Sequence, residues 1–242
     1  MQQDTQFILI HGAGLGAWIW RDVISRLKYP TLALEFPNRN KRNDSKHEST
    51  AKLKFEDYIS SLKKQIETGS HPKSKLVIVA HSIGGVLGLK LAEEFKDRMN
   101  GFIGISASIP KEGGSFVSAL PYPNKIIISI VMKLFGTLPP EMSIKHGLCE
   151  DLTPEQTEEI IENYSPESED LYFSRTNAKL PNVSRLYIRL ENDKEFDMPT
   201  QNRMISHLSP DHIIDLESGH LPMLSQPKTL AAILNSFAST LI

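Results

Sequence analysis

Five apolar residues, Leu76-Val77-Ile78-Val79-Ala80, run without a break into His81-Ser82-Ile83-Gly84-Gly85, and a helical apolar pattern begins at once. No other feature restricts the fold as much. A continuous short apolar run is the signature of a strand buried on both faces of a parallel sheet. A strand that becomes a helix within a few residues leaves Ser82 at the tip of a very tight, strained turn, whose neighbours two positions either side must be small. Ala80 and Gly84 meet that demand, and Ile83–Phe95 continues as a helix carrying Val86, Leu87, Leu89, Leu91 and Phe95. Such a turn projects Ser82 Oγ at the carboxyl end of the sheet, beside a helix N-terminus whose dipole favours a developing negative charge. The plainer reading is a glycine-rich turn with an incidental serine.

The rest of the chain repeats the alternation. Short apolar runs lie at residues 7–10, 31–36, 102–105, 185–190 and 212–216. The runs through residue 105 are nearly continuous, while the last two alternate, as strands nearer a sheet edge do. Between them, helical patterns cover Trp18–Lys28, Leu53–Ile66 and a C-terminal stretch opened by Pro227 and running through Phe237. Strands alternating with helices predict an α/β fold: a mostly parallel sheet of about six strands with helices on both faces. Two segments break the rhythm. Asn38–Ser49 is polar and charged, a solvated loop. Residues from about 110 to 182 hold Gly113-Gly114, eight of the fifteen prolines and several short helical patterns, one opened by Thr153-Pro154 and running through Ile160-Ile161. That stretch is too long for a plain loop and too irregular for another βαβ unit. It reads as a small cap inserted into a single domain spanning 1–242.

Composition sets outer limits. With 27 Lys+Arg against 29 Asp+Glu among 242 residues and a formal net charge of -2, the chain lacks the basic surplus that phosphate contacts need, so no nucleic-acid partner is expected. At 40% hydrophobic residues it is too apolar for a disordered chain. One cysteine, Cys149, excludes an internal disulfide framework and a zinc site of four cysteines or of two cysteines with two histidines. Met1–Gln6 has neither the basic stretch nor the long apolar core of a signal peptide, and no apolar run is long enough to span a membrane. The expected location is cytoplasmic.

A nucleophilic serine needs a base, and the base needs a carboxylate to orient it. Of the eight histidines, His220 follows the last strand pattern in a Gly219-His220-Leu221-Pro222 loop, which places it at the same sheet edge as Ser82. His11 sits in the first glycine loop and His81 inside the serine turn. His47, His71 and His146 fall in polar or cap regions, and His207 and His212 precede or begin the last strand. For the carboxylate, Asp193 follows the fifth strand, with Glu191 and Asp197 as rivals; the plainer role for Asp193 is to cap the next helix. An oxyanion requires two converging backbone N–H donors, and the amides of Ile83 and of Ala13, in the His11-Gly12-Ala13-Gly14 loop, are placed to supply them. That loop has a rival reading. Gly12-x-Gly14-x-x-Ala17, with Glu35 ending the next strand, fits the loose dinucleotide pattern of an NAD(P)-dependent oxidoreductase. It leaves His11, Gly16, the serine turn, Asp193 and Gly219-His220 without a role.

Taken together, these residues resemble the α/β-hydrolase superfamily, and more closely its small esterases and hydroxynitrile lyases of the plant methylesterase type. The pieces that carry the likeness are His11–Trp20, Ala80–Gly85, Asn192-Asp193-Lys194 and Ser218–Leu224. The resemblance implies an α/β-hydrolase fold, a triad at Ser82, Asp193 and His220, an oxyanion hole from the amides of Ala13 and Ile83, and neither metal nor organic cofactor. Gly12 and Leu221 stand where lyases of this type carry a threonine and a lysine. Without the lysine's charge to stabilise leaving cyanide, lyase activity is disfavoured. Gly14-Leu15 replaces the Cys-His pair of the plant enzymes, so substrate identity does not carry over.

The expectation is a serine hydrolase of small carboxylic esters working through an acyl-enzyme. The alternatives are a triad-bearing ligand receptor with slow turnover, or the NAD(P) oxidoreductase. Gly12, Gly14, Leu120, Tyr122 and Leu221 are candidate substrate contacts. Ile127, Ile130, Met132, Leu134 and Phe135 are further candidates for an apolar pocket wall, while Trp18 and Trp20 are expected to pack a helix. The expected partner is a small-molecule ester, with a homodimer compatible with the sequence.

Overall fold

The structure is a computed structural model and describes residues 5–39 and 50–241. Met1–Asp4 and residues 40–49, most of the expected solvated loop, lie outside the described residues. Six strands form one sheet: β1 (Thr5–Ile10), β2 (Thr31–Leu34), β3 (Lys75–His81), β4 (Met99–Ile105), β5 (Ser184–Leu190) and β6 (His212–Leu216). Their order is β2-β1-β3-β4-β5-β6, and every pairing is parallel. The chain winds outward in one direction from β1 to β2, then returns and winds the other way from β3 to β6. The reversal falls between β1 and β3, where Ile10 pairs with Ala80. Loops leaving the carboxyl ends of two strands at such a reversal diverge and open a crevice. The glycine loop after Ile10 and the serine turn after His81 are those two loops.

Why the central runs are continuous is clear from the packing. Successive side chains of a strand point to opposite faces, and both faces are covered. Ile8, Ile78 and Phe102 pack on one side under the helices Phe55–Gly69 and Gly84–Glu94, with Met204 and Leu208 of the helix Met198–Leu208. Phe7, Val77 and Ile103 pack on the other with Trp20 and the helix Pro227–Ser239. Each fully buried side chain of this size contributes roughly 1.5–3 kcal/mol, so a polar residue would be costly on either face.

Two expectations need correction. Residues 31–36 read as a strand buried on both faces, yet β2 is the edge opposite β6 and only Leu34 of its four residues is fully buried. Its apolar run covers a margin and not a centre. Trp18–Lys28 is not one helix: a 3-10 turn, Ala17–Trp20, leads into Arg21–Ile24, and the Ser25 hydroxyl then donates to the Asp22 carbonyl at 2.9 Å. Serine competes in this way for the backbone groups that would continue a helix.

The chain between β4 and β5 carries the helices Phe116–Ala119, Asn124–Phe135, Glu141–Leu148, Pro154–Asn163 and Glu169–Phe173. Thr153 caps Pro154–Asn163, accepting from Gln156 N at 3.3 Å. One buried side chain fastens this segment to the sheet. Glu167 accepts from Gly14 N at 3.2 Å and from the Tyr58 hydroxyl at 3.0 Å, and pairs with Arg39. Ser165 N donates to Gly14 O at 3.0 Å. Gly14 has φ +77 and no room for a Cβ, which would overlap the Tyr164 ring.

Candidate active site

Ser82 sits between β3 and Gly84–Glu94 with φ +53, a left-handed conformation that costs a non-glycine residue roughly 1–2 kcal/mol. Close packing explains why its neighbours are small. A Cβ on Gly84 would come 2.7 Å from His11 O, and one on Gly85 would overlap Ser108 O. A Cβ on Gly12 would meet Ser82 Cβ and His81 Nδ1, each at 3.0 Å, so glycine there lets the first loop lie against the serine turn. Ser108 N holds the turn from beneath, donating to Ser82 O at 2.9 Å.

His220 lies in the loop after β6, and its Nδ1 donates to Asp193 Oδ2 at 2.8 Å. Both residues are buried. Asp193 Oδ2 also accepts from Ser106 Oγ at 2.6 Å, and Oδ1 accepts from the amides of Glu195 at 2.8 Å and Phe196 at 3.0 Å. Burial alone would raise the Asp193 carboxyl; the His220 charge and these donors outweigh it and hold the group below its ordinary value. Burial likewise pushes His220 down, but Asp193 outweighs that, with smaller contributions from Glu195 and Asp151, and the imidazole ends above 6.5. His81 is the contrast. Burial and the neighbouring His220 hold it well below 6.5, so it stays neutral, and its Nε2–H donates to His220 O at 2.8 Å. From the segment between β4 and β5, Asp151 accepts from Gly219 N at 2.7 Å and from Ser218 Oγ at 3.2 Å. The His220 loop is tied on both sides.

Ser82 and His220 line one cavity of about 640 Å³, together with Gly12, Ala13 and Ile83. Its walls are mostly apolar and include Phe116, Leu120, Met132, Phe135, Tyr172 and Phe196. Size and lining are those of a small-molecule site. Among the described residues the amides of Ala13 and Ile83 donate to no protein acceptor. Glu35 turns away from the cavity: its carboxylate accepts from Ala17 N at 3.2 Å and lies 3.2 Å from His11 Nε2. It is therefore committed to bracing the first loop.

The family model described as "Alpha/beta hydrolase family" matches residues 7–233. The chain belongs to the α/β-hydrolase family. Several curated relatives are named esterases. Methyl jasmonate esterase 1 of Vitis vinifera is 24% identical, over 99% of this chain and 98% of that protein. Polyneuridine aldehyde esterase of Rauvolfia serpentina is 25% identical, over 96% and 95%. Among solved structures, an extracellular α/β-hydrolase from a Paenibacillus species superposes with a TM-score of 0.80 at 19% identity, covering 96% of this chain and 98% of that one.

Within this hydrolase fold the sequence-predicted residues divide. Ser82, His220, Ala13, Ile83, Gly12 and Leu120 meet at the cavity, and Asp193 stands behind His220. Gly14, Tyr122 and Leu221 do not line it. Gly14 is engaged with Glu167 and Ser165, Leu221 is fully buried, and Tyr122 is 69% exposed on the outside. Of the proposed apolar wall, Met132 and Phe135 are present, while Ile127, Ile130 and Leu134 face outward. The rivals of Asp193 have other work: Asp197 caps Met198–Leu208, accepting from Thr200 N at 3.0 Å, and Glu191 is exposed. Trp18 and Trp20 pack against the core. Sequence reasoning missed Ser106, Asp151, Glu167 and Glu195. Only Ser106, at the carboxyl end of β4 and with φ +38, had a positional signal.

Proposed function

We propose that this hydrolase cleaves small carboxylic esters through an acyl-enzyme. Ser82 Oγ attacks the ester carbonyl carbon while His220 Nε2 takes its proton, and the carbonyl oxygen becomes an oxyanion held by the amides of Ala13 and Ile83. Collapse of the intermediate expels the alcohol, which leaves with the proton from His220. Water then attacks the acyl-serine, gives a proton to His220, and releases the acid as that proton returns to Ser82. Asp193 keeps the proton of neutral His220 on Nδ1, so that Nε2 is free to accept, and it stabilises the imidazolium. Residues from about 110 to 182 act as the cap of a single domain and wall the acyl or alcohol group. The one-cysteine composition suits a cytoplasmic setting.

The observation that carries this reading is that His220, hydrogen-bonded to the buried Asp193 behind it, shares one apolar-walled cavity with the strained Ser82 and two unpaired amides. The esterase names of the relatives support it. The test is fluorophosphonate labelling alongside turnover of short-chain p-nitrophenyl esters. Wild type should label and turn over, while Ser82→Ala should not label and should lose about 10³-fold or more in kcat/KM. Label on the variant, or activity within tenfold of wild type, would overturn the assignment.

A further inference from the structure

Glu195 makes and breaks no bond in the ester chemistry, yet its side chain lines the cavity beside His220. The turn that orients Asp193 also aims it: Glu195 N donates back to Asp193 Oδ1 at 2.8 Å. Glu195 Oε1 occupies the space that a side chain at position 147 would fill, since a Cβ on Gly147 would overlap it. Among the described residues its carboxylate accepts no hydrogen bond and forms no ion pair. His220, Asp193, His146 and Tyr164 are the titratable groups close enough to feel it. Among the described residues no lysine or arginine lines the cavity, and Glu195 is its one acidic wall. Glu195 keeps contact with solvent, yet the protein packed around it, the largest influence, pushes this carboxyl up from its ordinary value, as expected for a charge without a partner.

Such a group discriminates between ligands. A wholly apolar ester filling the cavity strips water from a carboxylate and returns nothing to it, which is unfavourable. A cation restores the missing partner, and the rings of Phe116, Tyr164, Tyr172 and Phe196 on the same walls attract cations through their faces. We propose that Glu195 is a specificity residue that selects esters bearing an ammonium group. This deepens the ester-hydrolase reading and rests on it for the reaction, but not for the binding.

The binding can therefore be tested apart from turnover. Calorimetry on Ser82→Ala at pH 8, where a primary alkylamine is protonated, should show hexylammonium binding at least tenfold more tightly than hexanol. Ser82→Ala/Glu195→Gln should lose that preference. Ser82→Ala/Gly147→Ala, which must displace the carboxylate, should weaken it. In turnover, the ratio of kcat/KM for butyrylcholine to that for its neutral isostere 3,3-dimethylbutyl butyrate should fall at least tenfold on Glu195→Gln. Equal binding of hexylammonium and hexanol, or a preference that survives Glu195→Gln, overturns the proposal. If Ser82→Ala still hydrolyses either ester, the catalytic reading fails, while the calorimetric result still decides the role of Glu195.

Discussion

The carboxyl edge of the sheet and the helix Asn124–Phe135 face each other across the same cavity and are built on opposite terms. At the sheet edge Asp193, His220 and Ser106 are buried, and Asp193 alone accepts four hydrogen bonds. The helix has no buried residue, and Leu134 and Phe135 are 70% and 77% exposed. A helix of 12 residues is marginal without packing, so it belongs to the less stable end of the molecule. Proton transfer tolerates little misplacement, whereas an apolar wall needs only shape. The fold spends its burial where the geometry must not move.

The comparison breaks most sharply at the fixed edge. His220→Ala should lower kcat/KM by about 10³-fold or more, with KM little changed, because the base acts in the transition state. Asp193→Asn should cost about 10²–10⁴-fold and carries a signature in pH. His220 must be neutral to accept the proton and sits above 6.5 in the folded enzyme, so activity should fall as pH drops through a midpoint above 6.5. Removing the Asp193 charge leaves burial to dominate, and the midpoint should move to lower pH. A pH–rate profile of both proteins decides this, and a midpoint that stays in place would remove Asp193 from its role.

Ser106 should show an intermediate effect. Its hydroxyl reaches a charged, buried acceptor at 2.6 Å, a bond worth about 1.5–3 kcal/mol. Ser106→Ala should therefore reduce kcat roughly 10–100-fold if the bond matters as much in the transition state, and Ser106→Thr should recover part of it. Activity unchanged by the alanine would show that the two backbone donors suffice. Asp151→Asn, which weakens the tie to Gly219 and Ser218, should fall near the lower end of the same range in single-turnover kinetics.

The same contrast explains what could be read in the sequence. The central strands were legible because a sheet covered on both faces tolerates only continuous apolar runs, and Ser82 because a turn so tight excludes large neighbours. His220 and Asp193 followed from their positions after strands. Glu167, Asp151 and Glu195 were not legible: Glu167 meets Gly14 across 153 residues and Asp151 meets Gly219 across 68, and nothing local distinguishes such an acid from a solvated one. The wall failed in part for a different reason. Asn124, Ile128, Val131, Met132 and Phe135 line the cavity, a single stripe at helical spacing. The helix is apolar on every side but the Lys125-Ser129-Lys133 stripe, which does not lie opposite the lining one, so its sequence does not say which apolar stripe faces inward.

That stripe provides the mildest test. Leu134 and Ile130 lie outside it, and neither helps bury the core, so Leu134→Gln should shift stability by no more than about 0.5 kcal/mol and leave kcat/KM for every ester within twofold. Met132 lies inside it and packs against the core. Met132→Ala should enlarge the cavity, raise KM for short acyl chains a few-fold and narrow the gap to longer ones, with kcat held by the unchanged edge. Thermal melts and a chain-length series on the two variants separate the faces. Should Leu134→Gln change the chain-length profile as much as Met132→Ala does, the helix does not present one fixed face to substrate, and the division between a rigid edge and a wall of defined shape fails.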